Sequence, residues 1–557
     1  MKKRMKQLTA LALSVSMLAI AAGCGSQDVS TGSESNVSQE TQATQATETT
    51  PTEVVVEELT YPLTTDVKLT LWDANTVALN EEYTEYSQSP FHTGLVDKTG
   101  VEIDWKWPVK GTNANEAFNL LLTEKELPDM IKRLWSASDG EDLINEGAIW
   151  DLTEYLPKYA PDYWEVINRP EYETSRRLFT TSSGKQFIMA AMPKEFATST
   201  YIGPIVRKDW LDACGLDIPV TIADWEEMLA AFKEKYNVTP LAMAKTYLTS
   251  YVSPNLASAT GAYVGLGATY AVEDGKIILA NTTPEYKEYI TMMNRWYTDG
   301  LLDKDSITMD NNAMRSKALN NQVGAAFVPM SQMTNFINDA AAEGTGAEWV
   351  AVGYPREAEG VATSMIQTNA AHWSSHGLAF SKSLSEEELI VALKWANYAY
   401  TEEGHMYWNF GEEGLAHTVD AAGNVAYTDL VMKDVNGVNS GLTKYTGNHT
   451  GGLGLQDHRI LLLKSGEAGA NAITVWTENT EGPSHKVPNL SFSPDDTLIH
   501  KNLWAQIQTY VAETCMKFLI GEESLDNWDA YVEKVKGMAL EQDIAIYQKA
   551  YDEFIAK

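Results

Sequence analysis

Tryptophan and tyrosine are the side chains whose chemistry stands out most in this sequence. The chain has 16 Trp and 26 Tyr, but only 13 Phe. Both residues combine a flat apolar ring with a polar tip, so they can stack on a sugar ring while hydrogen-bonding its hydroxyl groups. Most of these rings must still pack in protein cores. The excess over Phe predicts that a subset of them faces a carbohydrate.

Motifs with catalytic or metal-binding spacing give weaker evidence of function than the aromatic residues do. His372 and His376 are four residues apart, as two zinc ligands on a helix would be, but Trp-Ser-Ser separates them and no third ligand is near. We interpret one or both as hydrogen-bonding groups for a sugar. Asp303-Lys304-Asp305 lacks the Gly and final Glu of a calcium loop, so we interpret it as a helix-terminating turn. No P-loop, GxSxG or CxxC motif is present, and we predict no catalytic residue, metal or cofactor.

Cys24 lies in a context that predicts lipid attachment. Four cations at 2–6 precede an apolar run over 8–22, and Ala21-Ala22-Gly23 lead into the cysteine. This order is typical of a secretory signal. The cysteine after small residues resembles a bacterial lipobox, although Leu usually takes the place of Ala21. We predict that residues 1–23 are a signal peptide and that Cys24 anchors the protein on the extracellular face of the cell membrane; ordinary signal cleavage beside an incidental cysteine is the alternative.

Composition limits the partners and the architecture. Residues 24–60 are predicted to be a disordered, lipid-anchored stalk, because 25–52 consists of small and polar residues with two larger aliphatics. The following ~500 residues exceed one hydrophobic core, so at least two lobes are expected. The net charge of −34 becomes about −38 without the four cations of 1–23, which disfavours nucleic acid as a partner. Cys214 and Cys515 are expected to be separate buried thiols.

Strands and helices must position the candidate residues. Strand alternation at 68–72 and 101–107, helical spacing at 115–123 and a third strand near 130 predict a β-α-β-α-β unit with a parallel sheet. Ligands bind beyond the carboxyl ends of such strands. The residues that follow the three strands are Trp72, Asp73 and Asn75, then Trp107, then Lys132 to Trp135. Later helices are predicted at 383–401 and 503–518, the second ending at Gly521.

Several ordered segments carry a family likeness from about 68 to 551. They are Phe118-Asn119, Leu127–Ile131, Ile149–Thr153, Ile205–Leu211 with Gly215-Leu216, Trp296-Tyr297, Gly300–Asp303, Glu402–Gly404, Asn409–Gly411, and Phe518–Gly521 with Leu525–Trp528. In their order and spacing the chain resembles the extracellular solute-binding proteins of bacterial ABC importers. It is most similar to the large lipoprotein subgroup for oligosaccharides, the aldouronate-type binding proteins.

The resemblance implies an α/β, two-lobed, periplasmic-binding-protein-like fold that hinges around an interlobe ligand cleft. Lobe 1 is expected at 61–200 plus about 366–440, and lobe 2 at about 201–365 plus 441–557. The implied function is a surface-anchored receptor that captures an oligosaccharide and delivers it to ABC permease subunits served by a separate ATPase. We expect a monomer and no enzyme activity. A secreted glycoside hydrolase or lyase and an oligopeptide-binding receptor are the alternatives.

Candidate ligand contacts are residues expected at strand ends or in cleft-facing loops. The candidates for stacking are Trp72, Trp135, Trp373, Trp408 and Trp476. The polar candidates are Asp73, Asn75, Asp129, Arg207, His372 and Asn409. If Arg207 lies in the cleft, it could pair with a uronate carboxylate through two parallel hydrogen bonds. For each of these residues, packing or capping is the alternative role.

Overall fold

The computed structural model describes residues 59–74, 88–109, 112–194, 200, 202–251, 256–363, 376–447, 452–478, 485–488, 490 and 492–556. Cys24, Asn75, His372 and Trp373 lie outside these residues, as do the predicted signal peptide and nearly all of the predicted stalk. No helix in the described ranges is both long enough and apolar enough to cross a lipid bilayer.

Short strands and longer helices alternate along the described chain. The strands are β1 (Lys68–Asp73), β2 (Glu102–Lys106), β3 (Met130–Leu134), β4 (Met189–Ala190), β5 (Met192–Pro193), β6 (Ile202–Arg207), β7 (Leu241–Ala242), β8 (Tyr270–Glu273), β9 (Lys276–Leu279), β10 (Ala325–Pro329), β11 (Trp349–Ala351), β12 (His376–Phe380), β13 (His417–Val419), β14 (Val425–Tyr427) and β15 (Leu455–Gln456). The helices to 342 are α1 (Pro90–Thr99), α2 (Ala114–Leu121), α3 (Ala137–Asn145), α4 (Leu156–Tyr159), α5 (Pro161–Ile167), α6 (Glu173–Phe179), α7 (Lys208–Cys214), α8 (Ile222–Tyr236), α9 (Pro284–Thr298), α10 (Asn311–Leu319) and α11 (Met330–Ala342). The later helices are α12 (Glu386–Asn397), α13 (Glu402–Phe410), α14 (Asp429–Met432), α15 (Val438–Tyr445), α16 (Arg459–Lys464), α17 (Gly466–Thr477), α18 (Pro494–Ile520), α19 (Trp528–Lys536) and α20 (Leu540–Ala556).

The first sheet has the strand order β2-β1-β3-β12-β4. Strands β1, β2 and β3 are parallel, with Trp72 opposite Lys106 and Asp73 opposite Lys132, whereas β12 runs antiparallel to β3. Helix α2 connects β2 to β3. This sheet confirms the predicted parallel β-α-β-α-β unit, and it brings the carboxyl ends of β1, β2 and β3 to one edge.

The second sheet has the order β11-β6-β10-β7. Strand β6 runs antiparallel to both β10 and β11, with Ile202 opposite Pro329 and Arg207 opposite Trp349. Strand β6 is buried along its whole length, because helices cover both faces of the sheet. The sequence of β6 is accordingly apolar up to Arg207 at its end, and it does not alternate between apolar and polar residues.

Two large hydrophobic cores surround these sheets. The first draws its residues from 69–192, 378–408 and 453–455, and the second from 202–354 and 472–540. A small third core, which the sequence does not predict, includes Phe410, Tyr427, Leu442 and Ile460. The two main cores form the expected two-lobed α/β fold, while the exact lobe boundaries given above stay a prediction.

The predicted late helices are present, and the second is longer than expected. Helix α12 lies within the predicted range. Helix α18 begins at Pro494 because Ser493 caps it and proline fits the first helical position. It ends where Gly521 adopts a left-handed conformation with φ 78°, as predicted.

The Asp303 turn differs from the prediction. Asp303 does not terminate a helix; it caps the short 3₁₀ helix Lys304–Ile307 by accepting from the Asp305 amide at 2.9 Å. The carboxylates of Asp303 and Asp305 bind the Lys317 ammonium at 2.6 and 2.7 Å. Cys214 and Cys515 are unpaired as expected, but only Cys515 is fully buried.

Candidate functional site

The carboxyl ends of β1, β2 and β3 form the candidate site, which we call the carboxyl edge. It comprises the ends of these strands and the starts of α1, α2 and α3. Ser89, Asn113 and Ser136 cap these helices with their side-chain oxygens. Parallel α/β sheets bind their ligands at this position, where strand ends and helix amino termini converge.

One face of the sheet carries a buried ion pair at this edge. Asp73 Oδ2 lies 2.7 Å from Lys132 Nζ, and the two side chains are 10% and 8% exposed. His92 lies on the same face, with its Nδ1 2.7 Å from Ser89 Oγ. Burial and the positive charge of Lys132 lower the pKa of His92 to about 3. At neutral pH this face therefore holds one compensated charge pair and an uncharged imidazole.

Two parallel indoles lie on that face at the end of β2. The rings of Trp105 and Trp107 have centroids 6.0 Å apart and planes inclined by 10°. Trp105 also meets His92 edge to face at 4.6 Å. Both indoles are partly exposed, so they offer flat aromatic surface at the sheet edge. Trp107 is one of the residues that the sequence pattern places just after a strand. Trp105 is not among the predicted candidates, but it could have been found because residues two apart on a strand share a face of the sheet.

The opposite face carries an arginine on an aromatic support. The Arg133 guanidinium carbon lies 3.9 Å from the Phe118 ring centroid and 5.0 Å from that of Trp135. Arg133 Nη2 donates to Asn115 Oδ1 at 3.1 Å, and Nη1 lies 3.5 Å from Asp139 Oδ2. Burial lowers the pKa of Arg133, an effect that the Asp139 carboxylate opposes. Arg133 lies in the range Lys132 to Trp135 that the sequence places after the third strand, but it is not among the predicted ligand contacts.

Trp72 and Trp135 belong to this aromatic support. They are 5% and 4% exposed. Phe118 packs between them, with centroid distances of 6.3 Å to Trp72 and 5.5 Å to Trp135. Trp135 Nε1 donates to the Gly377 carbonyl at 2.9 Å. In this structure Trp135 and Phe118 support Arg133, Trp72 packs against Phe118, and both indoles are buried.

Asp129 precedes β3 and joins it to β1. Its Oδ2 accepts hydrogen bonds from the Thr70 amide at 2.8 Å and the Thr70 hydroxyl at 2.9 Å. Its Oδ1 accepts from Ser383 Oγ at 3.3 Å. The residue thus lies toward the amino end of β3, away from the carboxyl edge, and its oxygens are engaged by the protein.

Arg207 lies at the far end of β6 and is 3% exposed. Its Nε and Nη2 donate to Asp209 Oδ1 and Oδ2 at 2.7 and 2.6 Å, and Nη1 donates to Asn321 Oδ1 at 2.6 Å. The paired carboxylate contact expected from a uronate is therefore made by Asp209. We do not carry Arg207 forward as a ligand contact, because Asp209 and Asn321 occupy its donors.

Trp408 and Asn409 are buried in helix α13, and Trp476 is buried in helix α17. Trp408 packs edge to face on Phe91 with centroids 5.1 Å apart. Asn409 Nδ2 donates to the Leu455 carbonyl at 2.7 Å, and its Oδ1 accepts from the Asp457 amide at 2.9 Å. Trp476 Nε1 donates to the Pro204 carbonyl at 2.9 Å. In this structure all three fix elements to one another.

His372, Trp373 and Asn75 lie outside the described residues. His376, the first residue of β12, pairs with Leu134 at the end of β3. The chain therefore enters the sheet at the carboxyl edge. Of the predicted candidates within the described ranges, Asp73 lies at this edge with Trp72 and Trp135, whereas Asp129, Arg207, Trp408, Asn409 and Trp476 lie elsewhere.

Solved structures show that this fold is periplasmic-binding-protein-like. A human-milk-oligosaccharide-binding, ABC-transporter-associated solute-binding protein from Bifidobacterium longum infantis superposes with a TM-score of 0.68 at 19% identity, covering 87% of this chain and 99% of that one. The Streptococcus pneumoniae substrate-binding protein FusA, solved with kestose, gives a TM-score of 0.63 at 19% identity, covering 88% of this chain and 100% of that one.

Sequence comparison then gives the family. The model for bacterial extracellular solute-binding proteins matches residues 80–406, more than half of the chain; this protein belongs to that family. Lipoprotein LipO of Bacillus subtilis (strain 168) is 23% identical over 490 residues, covering 83% of this chain and 89% of that protein. The fructooligosaccharide ABC transporter substrate-binding protein FusA of Streptococcus pneumoniae serotype 4 is 24% identical over 502 residues, covering 83% of this chain and 86% of that protein.

Proposed function

We propose that this protein captures an oligosaccharide outside the cell and delivers it to the permease of an ABC importer. The observation that carries the proposal is the parallel, partly exposed pair Trp105 and Trp107 at the carboxyl edge. A flat aromatic surface beside hydrogen-bond donors suits a sugar, which has apolar ring faces and a rim of hydroxyl groups. Membership of the solute-binding family and relatives named for sugar transport support the same ligand class.

Binding would use both lobes. The carboxyl edge of the first lobe provides the aromatic surface of Trp105 and Trp107 on one face of the sheet and the donors of Arg133 and Asn115 on the other. Because β1 lies between β2 and β3, a sugar that reaches both sets must lie across the end of β1. Closure of the second lobe over the sugar removes water from the bound rings, which strengthens every hydrogen bond in the cleft. The closed form then reports occupancy to the permease, because the ligand stabilises one of two arrangements of the lobes.

The carboxylates at the edge support a receptor rather than a hydrolase. A glycosidase needs two carboxyl groups that flank the scissile bond, one as acid and one as base or nucleophile. Asp73 is paired with Lys132 on one face of the sheet, and Asp139 lies beside Arg133 on the other. Neither faces the other across a shared space, so this pair is not arranged for glycosidic bond cleavage.

The location and partners complete the proposal. Lipidation of Cys24 would tether the mature chain to the outer face of the membrane, with the residues after Cys24 as the link to the folded part. The permease subunits and a separate ATPase would be the transport partners, and the receptor would act as a monomer. Loss of membrane association in Cys24→Ser, tested by fractionation, checks the anchor.

Ligand-induced thermal stabilisation tests the function. The unlipidated chain from Gly25 onward is heated with xylo-, manno-, gluco-, fructo- and uronate-bearing oligosaccharides and with short peptides. A ligand at 100 times its Kd should add about 2.7 kcal/mol of stability. A rise with one sugar class, with the sugar recovered intact, supports the receptor. Breakdown of the sugar would indicate an enzyme, and a rise with peptides alone would contradict the carbohydrate assignment.

A further inference from the structure

Arg133 combines tight placement with N–H groups that have no acceptor among the described residues. Its side chain is 11% exposed. A guanidinium has five N–H groups, and the polar partners of this one among the described residues are Asn115 at 3.1 Å and Asp139 at 3.5 Å. Nε and the remaining N–H groups have no acceptor in the described parts of the chain. This is the arrangement of a side chain that is positioned for a further acceptor.

The aromatic support fixes the plane of the guanidinium. Phe118 lies 3.9 Å below it and Trp135 5.0 Å away. Phe118 and Trp135 meet edge to face, with planes 80° apart, and Trp72 packs on the other side of Phe118. A side chain ordered in this way loses little entropy when a ligand binds, so its hydrogen bonds contribute more to affinity.

The charges around Arg133 are already balanced. Asp139 lies within 3.5 Å. The amino termini of α2 and α3, which would attract an anion, carry Glu116 and Asp139 in their first turns. The whole chain adds a net charge of −34. An acidic ligand at Arg133 would be repelled by Asp139 and by the net negative charge of the protein. Hydroxyl and ring oxygens can instead accept hydrogen bonds from Arg133 without adding charge.

We propose that Arg133 contacts the bound sugar and selects a neutral saccharide, through neighbouring hydroxyl oxygens that accept from its N–H groups, over the corresponding uronate. This inference rests on the proposed function and assigns the ligand class of the same site. It moves the arginine contact from Arg207, whose donors are occupied by Asp209 and Asn321, to Arg133 on the first lobe.

Calorimetric titration of the chain from Gly25 onward tests the inference. The probes are the neutral oligosaccharide that stabilises the protein most and the same oligosaccharide oxidised at its primary hydroxyl groups to uronate. Arg133→Met should raise the Kd of the neutral probe about 10- to 100-fold, because hydrogen bonds from a charged donor are lost. Arg133→Lys keeps the charge but not the planar fork and should give an intermediate loss. Arg169→Met, on an exposed helical pair with Glu165, is the matched control and should leave the Kd unchanged.

Asp139→Asn provides the charge test. This substitution removes a negative charge that repels a uronate at short range. The affinity for the uronate relative to the neutral sugar should therefore rise about 10-fold. Preference of the unaltered protein for the uronate would overturn the neutral class, and a Kd within twofold for both Arg133 variants would overturn the role of Arg133. If no saccharide binds at all, the proposed function fails first and this inference with it. Thermal unfolding without ligand verifies that each variant is folded; should Arg133→Met not fold, Arg133→Lys decides.

Discussion

Asp457 is a buried carboxylate at the point where the chain leaves the first core. Its side chain is 1% exposed and accepts from His405 Nε2 at 3.1 Å and from Arg459 Nη2 at 2.6 Å. Asn409 holds the Asp457 amide at 2.9 Å. These hydrogen bonds and the Arg459 charge outweigh burial, so the pKa of Asp457 lies well below its ordinary value. The group is therefore ionised and fully paired at neutral pH.

Replacing Asp457 should destabilise the protein in a pH-dependent way. Asp457→Asn removes the buried carboxylate that accepts hydrogen bonds from Arg459 and His405 and should lower the free energy of unfolding by about 2 kcal/mol at pH 7. A lowered folded-state pKa gives stability that is present above the unfolded pKa of about 3.9 and lost as the pH falls toward the folded pKa. Urea unfolding at pH 7 and pH 3 should thus show a large difference from wild type that shrinks in acid. Asp429→Asn, in an exposed pair with Lys433, should leave stability nearly unchanged, and equal stability of Asp457→Asn and wild type at pH 7 would contradict this role.

His92 should make stability fall in mild acid. Its folded pKa of about 3 lies below the unfolded value, so between these values only the unfolded chain binds the proton and stability drops as the pH falls. From pH 7 to pH 5 the loss should be about 2 kcal/mol, given an unfolded pKa of about 6.5. Urea unfolding of His92→Gln should lack this part of the slope. Imidazole NMR shifts checked at pH 5 should show a neutral His92; a protonated ring would refute the assignment.

Strand alternation and element order were sufficient to predict the first sheet, but not the role of each ring on it. The apolar period in β1 and β2 and the helix before β3 predict a parallel unit, because each pattern is local in the sequence. The exposure of the aromatic rings at the sheet edge depends on how helix α2 packs across one face of the sheet. Phe118 of α2 covers Trp72 and Trp135, so these two strand-end tryptophans are buried while Trp105 and Trp107 remain partly exposed.

Long-range contacts explain the other differences. Arg207 is the last residue of β6 and pairs with Trp349 of β11. Asn321, which is distant in the sequence, occupies one of its donors, and no local pattern shows this contact. The third core depends on the three-residue strands β13 and β14, which are too short for a periodic signal. The sequence predicts Trp408, Asn409 and Trp476 in loops or at strand ends. The residues that contact and bury them are distant in the sequence, so no local pattern shows their burial.

The tryptophans at the edge should therefore separate into two functional groups. Trp107→Ala should weaken binding of the stabilising sugar by about 1 kcal/mol, the scale of one aromatic contact, with little change in stability because the ring is partly exposed. Trp135→Ala should lower the free energy of unfolding by about 3–5 kcal/mol, since it opens a cavity beneath Arg133. Calorimetric titration and urea unfolding of both variants measure the two effects. The reverse outcome, with Trp135 affecting binding alone, would restore it as a stacking platform.

At the scale of the whole molecule, two separate cores and the crossing segments between them determine how the protein can move. Each large core is held by its own sheet, so the lobes can move as rigid bodies about the few segments that connect them. The contacts of Asn409, Asp457 and Trp476 lie beside these segments. Their hydrogen bonds favour a defined hinge over a flexible linker. We therefore expect ligand binding to change the angle between the lobes.

Binding should therefore compact the molecule. For the chain from Tyr61 onward, which omits the predicted stalk, about 500 folded residues give a radius of gyration of about 23 Å, and closure of the cleft on the stabilising sugar should lower this value in small-angle X-ray scattering. The decrease should saturate at the sugar concentration that saturates the thermal shift, because the ligand stabilises the closed arrangement. Trp107→Ala should reach the same closed radius at a higher sugar concentration, since it weakens binding without altering the hinge. Stabilisation by sugar without any compaction would show that the ligand binds one lobe alone, and the hinge would then have no part in recognition.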